Sequence, residues 1–229
     1  MDRKYNHGRK LYGVIPAAGM GTRLDLGPKA LLELGGIALV RMVAEKMCET
    51  VETVLVGFTP GYRDRFATAL KSLPVILIPG GKTRQQTILK LLEQCEGNAD
   101  AIVVDANRPL VPASTLASVA EDLLHHRASV NAVELNCPVC LFNARGKVTR
   151  QFSYQEAIMA GGVVGARLPL LRAALRKAEA SGENRLSLVA ALLAHGVTPH
   201  MVRSPPECLK VTDAGDWSHV QHLWAQGVR

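Results

Sequence analysis

Short aliphatic runs alternate along the chain with segments whose apolar positions recur every three or four residues. The runs predict buried strands over residues 11–15, 53–58, 75–78, 101–104, 130–135 and 200–202. The helical spacing predicts helices over residues 37–49, 62–70, 83–94, 114–126, 168–179, 186–194 and 213–226. Strands separated by helices are joined by crossovers, so the pattern predicts an α/β, Rossmann-like fold: a mostly parallel twisted sheet with helices on both faces.

The regular alternation lapses over residues 136–160, where a turn at residues 143–147 separates two candidate strands. We expect a protruding β-hairpin arm there. Val139, Leu141 and Phe142 would be exposed on such an arm unless another copy covered them, which predicts a homodimer joined through it. With no internal repeat, low-complexity tract or obvious linker, residues 1–229 are expected to form a single domain.

Composition narrows the classes of partner. The chain has 229 residues, 48% hydrophobic but only 4% aromatic, and a net charge of +7 that indicates an anionic partner. The basic residues are dispersed and few rings are available to stack on bases, which argues against nucleic acid. No apolar run reaches the ~18 residues of a membrane span, and the charged start lacks a secretory apolar segment, so we expect no membrane association and a cytoplasmic location.

The cysteines favour free thiols over disulfides, because they are odd in number and scattered: Cys48, Cys95, Cys137, Cys140 and Cys208. Cys137 and Cys140 form a Cys-x-x-Cys pair, which can ligate zinc or act in redox chemistry. One pair is only half of a four-ligand site, and His125 and His126 have no matching pair in the sequence. We therefore interpret Cys137 and Cys140 as thiols of the arm or core.

A glycine-rich segment follows the first strand at once and runs Pro16-Ala17-Ala18-Gly19-Met20-Gly21-Thr22-Arg23, with Pro28-Lys29 shortly after. Glycines allow backbone N–H groups to wrap phosphate oxygens. The spacing matches neither a dinucleotide-binding loop nor a Walker loop. Arg23 and Lys29 suit the phosphates that leave as pyrophosphate and would stabilise charge at the α-phosphorus. Taken alone, the segment also fits an ordinary tight turn beside two solvated cations.

Ligands of parallel sheets bind at the carboxyl ends of the strands. Three candidate segments follow strands: residues 16–23, 80–87 and 105–109. We expect their charged and glycine residues to converge on one site. In the last of these segments, Asp105 is a candidate to hold Mg²⁺, to orient an acceptor or to form a structural ion pair with neighbouring arginines.

Four strings carry a resemblance to one family. They are Ala17 to Arg23 with Pro28-Lys29-Ala30 and Leu34-Gly35-Gly36; Gly80-Gly81-Lys82-Thr83-Arg84-Gln85-Gln86-Thr87-Ile88; Val104-Asp105-Ala106-Asn107-Arg108-Pro109; and Leu209-Lys210-Val211-Thr212 with Asp216. Together they resemble the signature of the 2-C-methyl-D-erythritol 4-phosphate cytidylyltransferase family of the non-mevalonate isoprenoid pathway. The similarity extends over nearly the whole chain in matching order.

The resemblance implies a fold of the nucleotide-diphospho-sugar transferase type and a transferase that joins CMP from CTP to a small phosphorylated or phosphonate acceptor, releasing pyrophosphate. It implies Mg²⁺ as cofactor and a homodimer. The implied catalytic residues are Arg23, Lys29 and Lys210. The implied nucleotide-binding residues are Pro16, Ala17, Ala18, Gly19, Gly21, Gly80, Gly81, Arg84 and Thr87. Asp105 and Arg108 are the implied acceptor-binding residues, and Asp105 is also the implied metal ligand.

The acceptor motifs of the family are not matched. Its Thr-Pro-Gln falls near Ala160-Gly161-Gly162 and its Thr-Asp-Glu near Leu186-Ser187-Leu188, while Arg145, Arg150 and Arg167 lie near the position of its arm arginine. The alternatives are therefore another polyol or sugar phosphate, or a phosphonate, as acceptor. A guanylyl- or uridylyltransferase and a non-catalytic nucleotide-binding relative are further alternatives, but the joint presence of Arg23, Lys29, Asp105 and Lys210 argues against the last.

Overall fold

The computed structural model describes residues 8–20, 27–182 and 187–229. Its strands are β1 (Leu11–Pro16), β2 (Glu33–Leu34), β3 (Ile37–Ala38), β4 (Thr53–Phe58), β5 (Val75–Pro79), β6 (Asp100–Val104), β7 (Ala128–Glu134), β8 (Val139–Phe142), β9 (Val148–Phe152), β10 (Ile158–Arg167) and β11 (His200–Arg203). Its helices are α1 (Leu39–Thr50), α2 (Arg63–Ala69), α3 (Arg84–Glu93), α4 (Ala113–Asp122), α5 (Leu168–Ala180), α6 (Leu188–Ala194) and α7 (Ala214–Ala225), with a 3-10 turn at Lys29–Leu31.

The central sheet has the strand order β11-β7-β10-β6-β1-β4-β5. β1 pairs in parallel with β4 and β6, β4 with β5, and β7 with β11. β10 is antiparallel to both of its neighbours, β6 and β7, so it alone runs against the other described strands of this sheet. The predicted α/β fold with a mostly parallel sheet is confirmed.

Helices cover both faces of the sheet because successive side chains of a strand point to opposite faces. In β1, Ile15 packs into a core cluster with Val43 of α1, whereas its neighbour Val14 packs into a second cluster with Ile88 of α3. α2 and α4 also contribute to the first cluster, and α5 and α6 to the second. Strands buried on both faces explain the continuous aliphatic runs in the sequence.

The sequence pattern missed β10. Its first half contains Ala160, Gly161 and Gly162, and the pairing with β7 shifts register between Ala160 and Val164. Gly162 has a φ of +87°, which glycine adopts without strain. Small residues and an irregular register remove the alternation by which an amphipathic strand is recognised, so this strand was not predictable from periodicity.

The expected hairpin is present over β8 and β9, which pair only with each other among the described strands. Asn143 fixes the turn, because its side-chain oxygen accepts hydrogen bonds from the N–H groups of Arg145 at 3.0 Å and Lys147 at 3.1 Å. Phe142 is 74% exposed on this hairpin. Elsewhere, none of the helices in the described ranges has the length and hydropathy needed to cross a bilayer.

Candidate active site

The carboxyl ends of β1, β5 and β6 open onto a cavity of about 710 Å³. The described residues that line it are Pro16, Ala17, Ala18, Gly19, Met20, Lys29, Ala30, Gly81, Lys82, Thr83, Arg84, Thr87, Asp105, Ala106, Asn107, Lys210 and Thr212. Residues from the described parts of all three segments expected to converge, 16–20, 80–87 and 105–109, line this cavity. Lys210 and Thr212 join them from the carboxyl-terminal part of the chain. Parallel strands cause this convergence, because their carboxyl ends meet at one edge of the sheet.

Close contact between the first two loops forms one wall. Ala17 donates its N–H to the carbonyl of Gly57 at 2.8 Å, and Gly80 donates to the carbonyl of Phe58 at 2.9 Å, so both loops are anchored on the end of β4. A Cβ on Gly80 would lie 2.2 Å from the Cβ of Ala18. Only glycine at residue 80 permits this approach. Gly80 therefore packs against Ala18, and of these two residues Ala18 lines the cavity and Gly80 does not.

The second wall is the amino end of α3. Thr83 caps this helix, its hydroxyl accepting from the N–H of Gln86 at 3.1 Å. The hydroxyl of Thr87 accepts from Gly81 N–H at 3.0 Å and donates to the Thr83 carbonyl at 2.9 Å. Thr87 is therefore satisfied within its own loop, and its main effect is to fix the shape of the wall that Gly81 presents.

Asp105 lies at the floor of the cavity between two cations. Arg84 donates from Nε to Oδ1 at 2.5 Å, and the Nζ of Lys210 is 3.0 Å from Oδ2. Burial of the carboxyl group opposes its ionisation, but Arg84 and Lys210 outweigh burial and hold the pKa of Asp105 below its usual value. The carboxylate is 8% exposed, whereas the side chains of Arg84 and Lys210 are 38% and 40% exposed. Both cations thus remain open to a ligand in the cavity.

Lys29 lies at the start of the 3-10 turn and reaches the carboxyl-terminal segment. Its Nζ donates to the carbonyl of Thr212 at 2.7 Å and to that of Val211 at 3.2 Å. Asn107 holds the same segment, with its side-chain amide 2.6 Å from the Val211 carbonyl and its own carbonyl accepting from Val211 N–H at 2.8 Å. These bonds place Lys29 and Lys210 on the same cavity.

Arg108, expected to bind the acceptor, is not among the lining residues. Its Nη1 donates to the carbonyl of Cys208 at 2.6 Å. A Cβ on Gly162 would lie 2.2 Å from the Arg108 Cζ, so the guanidinium packs directly on the backbone of β10. The sequence does not indicate this contact, because Gly162 stands out there only as a departure from the Thr-Pro-Gln motif of the family.

Most of the other expected site residues lie on the cavity. Pro16, Ala17, Ala18, Gly19, Lys29, Gly81, Arg84, Thr87, Asp105 and Lys210 line the cavity, whereas Gly21 and Arg23 lie outside the described residues. Sequence reasoning did not single out Lys82, Thr83, Asn107 or Thr212, which also line it. All four lie inside the strings that carry the family resemblance, and that position was the available signal.

A divalent cation does not fit Asp105 as the carboxylate stands. Both oxygens are engaged by Arg84 and Lys210, and Asp105 is the single acidic side chain among the described lining residues. Magnesium favours carboxylate and phosphate oxygens, together with several waters. Asp105 could become a ligand only if one of the two ion pairs opened, so its assignment as a metal ligand stays a prediction that these contacts do not favour.

The chain is similar in sequence to proteins of one known family. A sequence profile of the family IspD, 2-C-methyl-D-erythritol 4-phosphate cytidylyltransferase, matches residues 11–225. The 2-C-methyl-D-erythritol 4-phosphate cytidylyltransferase of Deinococcus radiodurans is 30% identical over 226 residues, which cover 97% of this chain and 93% of that protein.

Two solved structures have the same fold. The 2-C-methyl-D-erythritol 4-phosphate cytidylyltransferase of Thermus thermophilus superposes with a TM-score of 0.77 at 25% identity, covering 93% of this chain and 98% of that one. The 4-diphosphocytidyl-2C-methyl-D-erythritol synthase of Anaerococcus prevotii gives a TM-score of 0.83 at 15% identity, covering 95% and 99%. The profile match and the full-length sequence identity confirm the resemblance, and the chain belongs to the 2-C-methyl-D-erythritol 4-phosphate cytidylyltransferase family of nucleotidyltransferases.

Proposed function

We propose that the chain transfers CMP from CTP to a small phosphorylated acceptor and releases pyrophosphate. The observation that carries the proposal is the convergence of Lys29, Arg84 and Lys210 on one cavity at the strand ends, beside the glycine-containing loop. Cations so placed would neutralise a triphosphate and the charge that develops as its α-phosphorus is attacked. The family membership of the chain supports the same reaction class.

In the proposed reaction, an oxygen of the acceptor phosphate attacks the α-phosphorus of CTP. A new P–O bond forms while the bond to the bridging oxygen of the β-phosphate breaks, and pyrophosphate carries away that electron pair. A phosphate oxygen is already ionised at neutral pH, so positioning and charge neutralisation suffice without a general base. In agreement, none of the described cavity-lining residues is a histidine.

Asp105 is proposed to hold Arg84 and Lys210 in position before the substrates enter. Its carboxylate contacts both cations, and because those cations are partly exposed, each can keep one hydrogen bond to Asp105 and offer another to a phosphate oxygen. Because the two cations are already held side by side, no free energy is needed to bring these like charges together when the triphosphate binds. The role of Asp105 toward the acceptor would then be indirect, through Lys210.

CTP is the proposed nucleotide because Gly81 and the amino end of α3 form a wall of the cavity, and the matching loop of the family selects cytosine. Thermal-shift titrations with CTP, GTP, UTP and ATP in the presence of Mg²⁺ would test this choice. We expect the largest stabilisation with CTP. Equal stabilisation by all four nucleotides would reject the base assignment while leaving the nucleotidyltransferase assignment open to a direct pyrophosphate assay.

Mg²⁺ is the proposed cofactor, and we propose that CTP brings it into the site through its own phosphate oxygens. The ion would add positive charge next to the transferred phosphorus. Asp105→Asn should then leave unchanged the Mg²⁺ concentration that gives half-maximal rate, while the rate itself falls. A several-fold rise of that concentration in Asp105→Asn would instead make Asp105 a ligand.

The first candidate acceptor is 2-C-methyl-D-erythritol 4-phosphate, the compound named in the relatives. One observation favours a second candidate, a different phosphorylated polyol or a phosphonate. Ala160, Gly161 and Gly162 have no polar side chain to offer an acceptor, and Gly162 is covered by Arg108. A pyrophosphate-release screen with CTP against methylerythritol phosphate, other polyol and sugar phosphates, and phosphonates would decide between them.

We also propose a cytoplasmic homodimer joined through residues 136–160. Leu141, Phe142 and Val148 of the hairpin are 49%, 74% and 65% exposed, and a second copy would remove these apolar side chains from water. Sedimentation velocity should give a dimer for the unaltered chain and a monomer for Phe142→Glu. A monomeric unaltered chain would reject this interface, and cell fractionation would test the location.

A further inference from the structure

Three side chains with metal-binding atoms meet far from the candidate active site. Asp122 ends α4, His126 lies in the turn that follows, and His200 begins β11. β7 and β11 run in the same direction as β6, so His200 lies at the amino ends of these strands. The cavity lies at the carboxyl ends, on the opposite edge of the sheet. The cluster therefore belongs to no part of the nucleotide site.

The three groups face one another closely. His200 Nδ1 lies 2.8 Å from Oδ1 of Asp122, and His126 Nε2 lies 3.7 Å from the same oxygen. The two imidazole rings stack with centroids 3.8 Å apart and planes 6° from parallel. One ligand atom from each of the three residues lies within 4.8 Å of the other two.

The carboxylate of this cluster is fixed from behind. The hydroxyl of Ser129, a fully buried residue in β7, donates to Oδ2 of Asp122, which leaves Oδ1 directed at the two imidazoles. A hydrogen bond that orients a ligating carboxylate is a common feature of metal sites. The side chain of Asp122 is 15% exposed, whereas those of His126 and His200 are 41% and 50% exposed, so an ion can reach the cluster from solvent.

We propose that Asp122, His126 and His200 form a binding site for a divalent transition metal of the Zn²⁺ class. Zinc bonds of about 2.0–2.2 Å at tetrahedral angles place ligand atoms about 3.3 Å apart. The measured 2.8 Å and 3.7 Å lie on either side of that spacing. The stacked rings direct their nitrogens in parallel, so one ring must tilt to bring both onto a single ion, and the exposure of both rings leaves room for it.

Binding puts the metal in the place of the proton on His200 Nδ1. The neutral His200 ring offers its Nδ1 lone pair to the metal once the proton that bridges Nδ1 and Asp122 Oδ1 is exchanged, through solvent, for one on Nε2 of the same ring. Three protein ligands leave a fourth position to water. Two imidazoles and one carboxylate favour Zn²⁺, Ni²⁺ and Cu²⁺ over Mg²⁺. The bound ion would tie the end of α4 to β11, an edge strand that pairs only with β7 among the described strands.

The test uses the tag-free full chain carrying Cys137→Ser and Cys140→Ser, so that these exposed thiols do not compete for metal. Zn²⁺ titration calorimetry and Co²⁺ absorption spectra would be recorded at pH 7.5. We expect one ion per chain, with the Kd raised at least 10-fold in His200→Gln and in Asp122→Asn. Zn²⁺ should also raise the melting temperature of the parent but not of these variants.

His125→Gln is the matched control, because His125 is the exposed neighbour of His126 and does not belong to the cluster. It should bind Zn²⁺ like the parent, and circular dichroism would confirm that every variant folds. Absence of saturable binding, or equal Kd values for the parent and His200→Gln, would overturn the proposal. Histidine resonances of the cluster that respond to pH but not to Zn²⁺ would make it a protonation site only, which would also overturn it.

Discussion

The ammonium group of Lys29 donates a 2.7 Å hydrogen bond to the backbone carbonyl of Thr212, 183 residues further along the chain. This bond joins the segment after the glycine-containing loop to the segment that carries Lys210. Asn107 holds the same carboxyl-terminal segment through the Val211 carbonyl. The position of each proposed catalytic lysine thus depends on a part of the chain that is remote in sequence. We expect replacement of Lys29 or of Lys210 to lower the reaction rate more than it lowers the stability of the fold.

Lys29→Ala and Lys210→Ala should each lower the rate of CTP-dependent pyrophosphate release by at least about 100-fold, the usual size of a transition-state charge contact. The physical reason is that each removes a cation from a cavity in which the triphosphate must be neutralised. The rate would be measured with saturating CTP and the acceptor found in the screen.

Lys71→Ala is the matched control for these two variants, since Lys71 is an exposed lysine outside the cavity lining. It should keep the parental rate. Near-parental rates in Lys29→Ala or Lys210→Ala, with folding intact, would contradict the catalytic roles given to these lysines.

Asp105→Asn should lower the free energy of unfolding at pH 7 by about 1–2 kcal/mol, less than a fully buried ion pair would, because both partner cations are more than one-third exposed. The pKa of Asp105 is held below its ordinary value of 3.8. Its ionised form therefore stabilises the fold above about pH 4, and this contribution is lost as the pH falls through the lowered pKa.

Urea unfolding of both proteins at pH 7, 5, 4 and 3 would check this pH dependence. The difference between the parent and Asp105→Asn should be constant from pH 7 to pH 5 and shrink below about pH 4, where protonated Asp105 resembles asparagine. A difference that stayed the same down to pH 3 would show that ionised Asp105 is not the source of the stability.

Gly80→Ala and Gly19→Ala should separate packing from ligand binding. A methyl group at residue 80 meets the Cβ of Ala18 at 2.2 Å, so the loops must part, and we expect a loss of about 1–3 kcal/mol in unfolding free energy. A Cβ at Gly19 meets no atom of the described residues within 4 Å, so stability should change by less than about 0.5 kcal/mol.

CTP affinity should nevertheless fall in Gly19→Ala, because a methyl group on the cavity lining would hold phosphate oxygens away from the backbone. Thermal unfolding and CTP titration calorimetry measure the two effects independently. Parental CTP affinity in Gly19→Ala would place the phosphates elsewhere in the cavity.

The thiols should react with DTNB at pH 8 in an order set by burial. Cys137 and Cys140 are exposed on the hairpin and should react first. Burial raises the pKa of the Cys95 thiol to about 12, and burial also raises that of Cys208, so both should react only as the protein unfolds. Mass spectrometry of the labelled peptides at successive times would give the order, and early labelling of Cys95 would contradict its buried position.

Periodicity and turn chemistry were enough to predict most of the fold, because β1, β4, β6 and the helices beside them satisfy the local rules that relate pattern to structure. The convergence of Gly81, Asp105 and the glycine loop followed from a topological rule about parallel strands. β10 could not be predicted in this way. Its glycines interrupt the hydrophobic pattern, and its register shift depends on its pairing with β7.

Features that depend on tertiary contact were also beyond the sequence. Arg108 packs on Gly162, and His126 meets His200, in each case across elements far apart in the chain. No residue near His126 in the sequence is its partner, because that partner, His200, begins β11, 74 residues later by residue number. A pattern of residue types reports which groups are available, whereas side-chain direction in the folded state decides which of them meet.

The distance in sequence between Asp105 and Lys210 has a consequence for biosynthesis. β1, β4, β5 and β6 are all translated before Asp105, so a nascent chain on the ribosome already holds the central strands, the glycine loop and the Arg84 partner of Asp105. Lys210 emerges much later, after α4, the hairpin, α5 and α6. A chain released prematurely would lack this cation, so a truncated product should hold nucleotide poorly and leave the cellular CTP pool untouched.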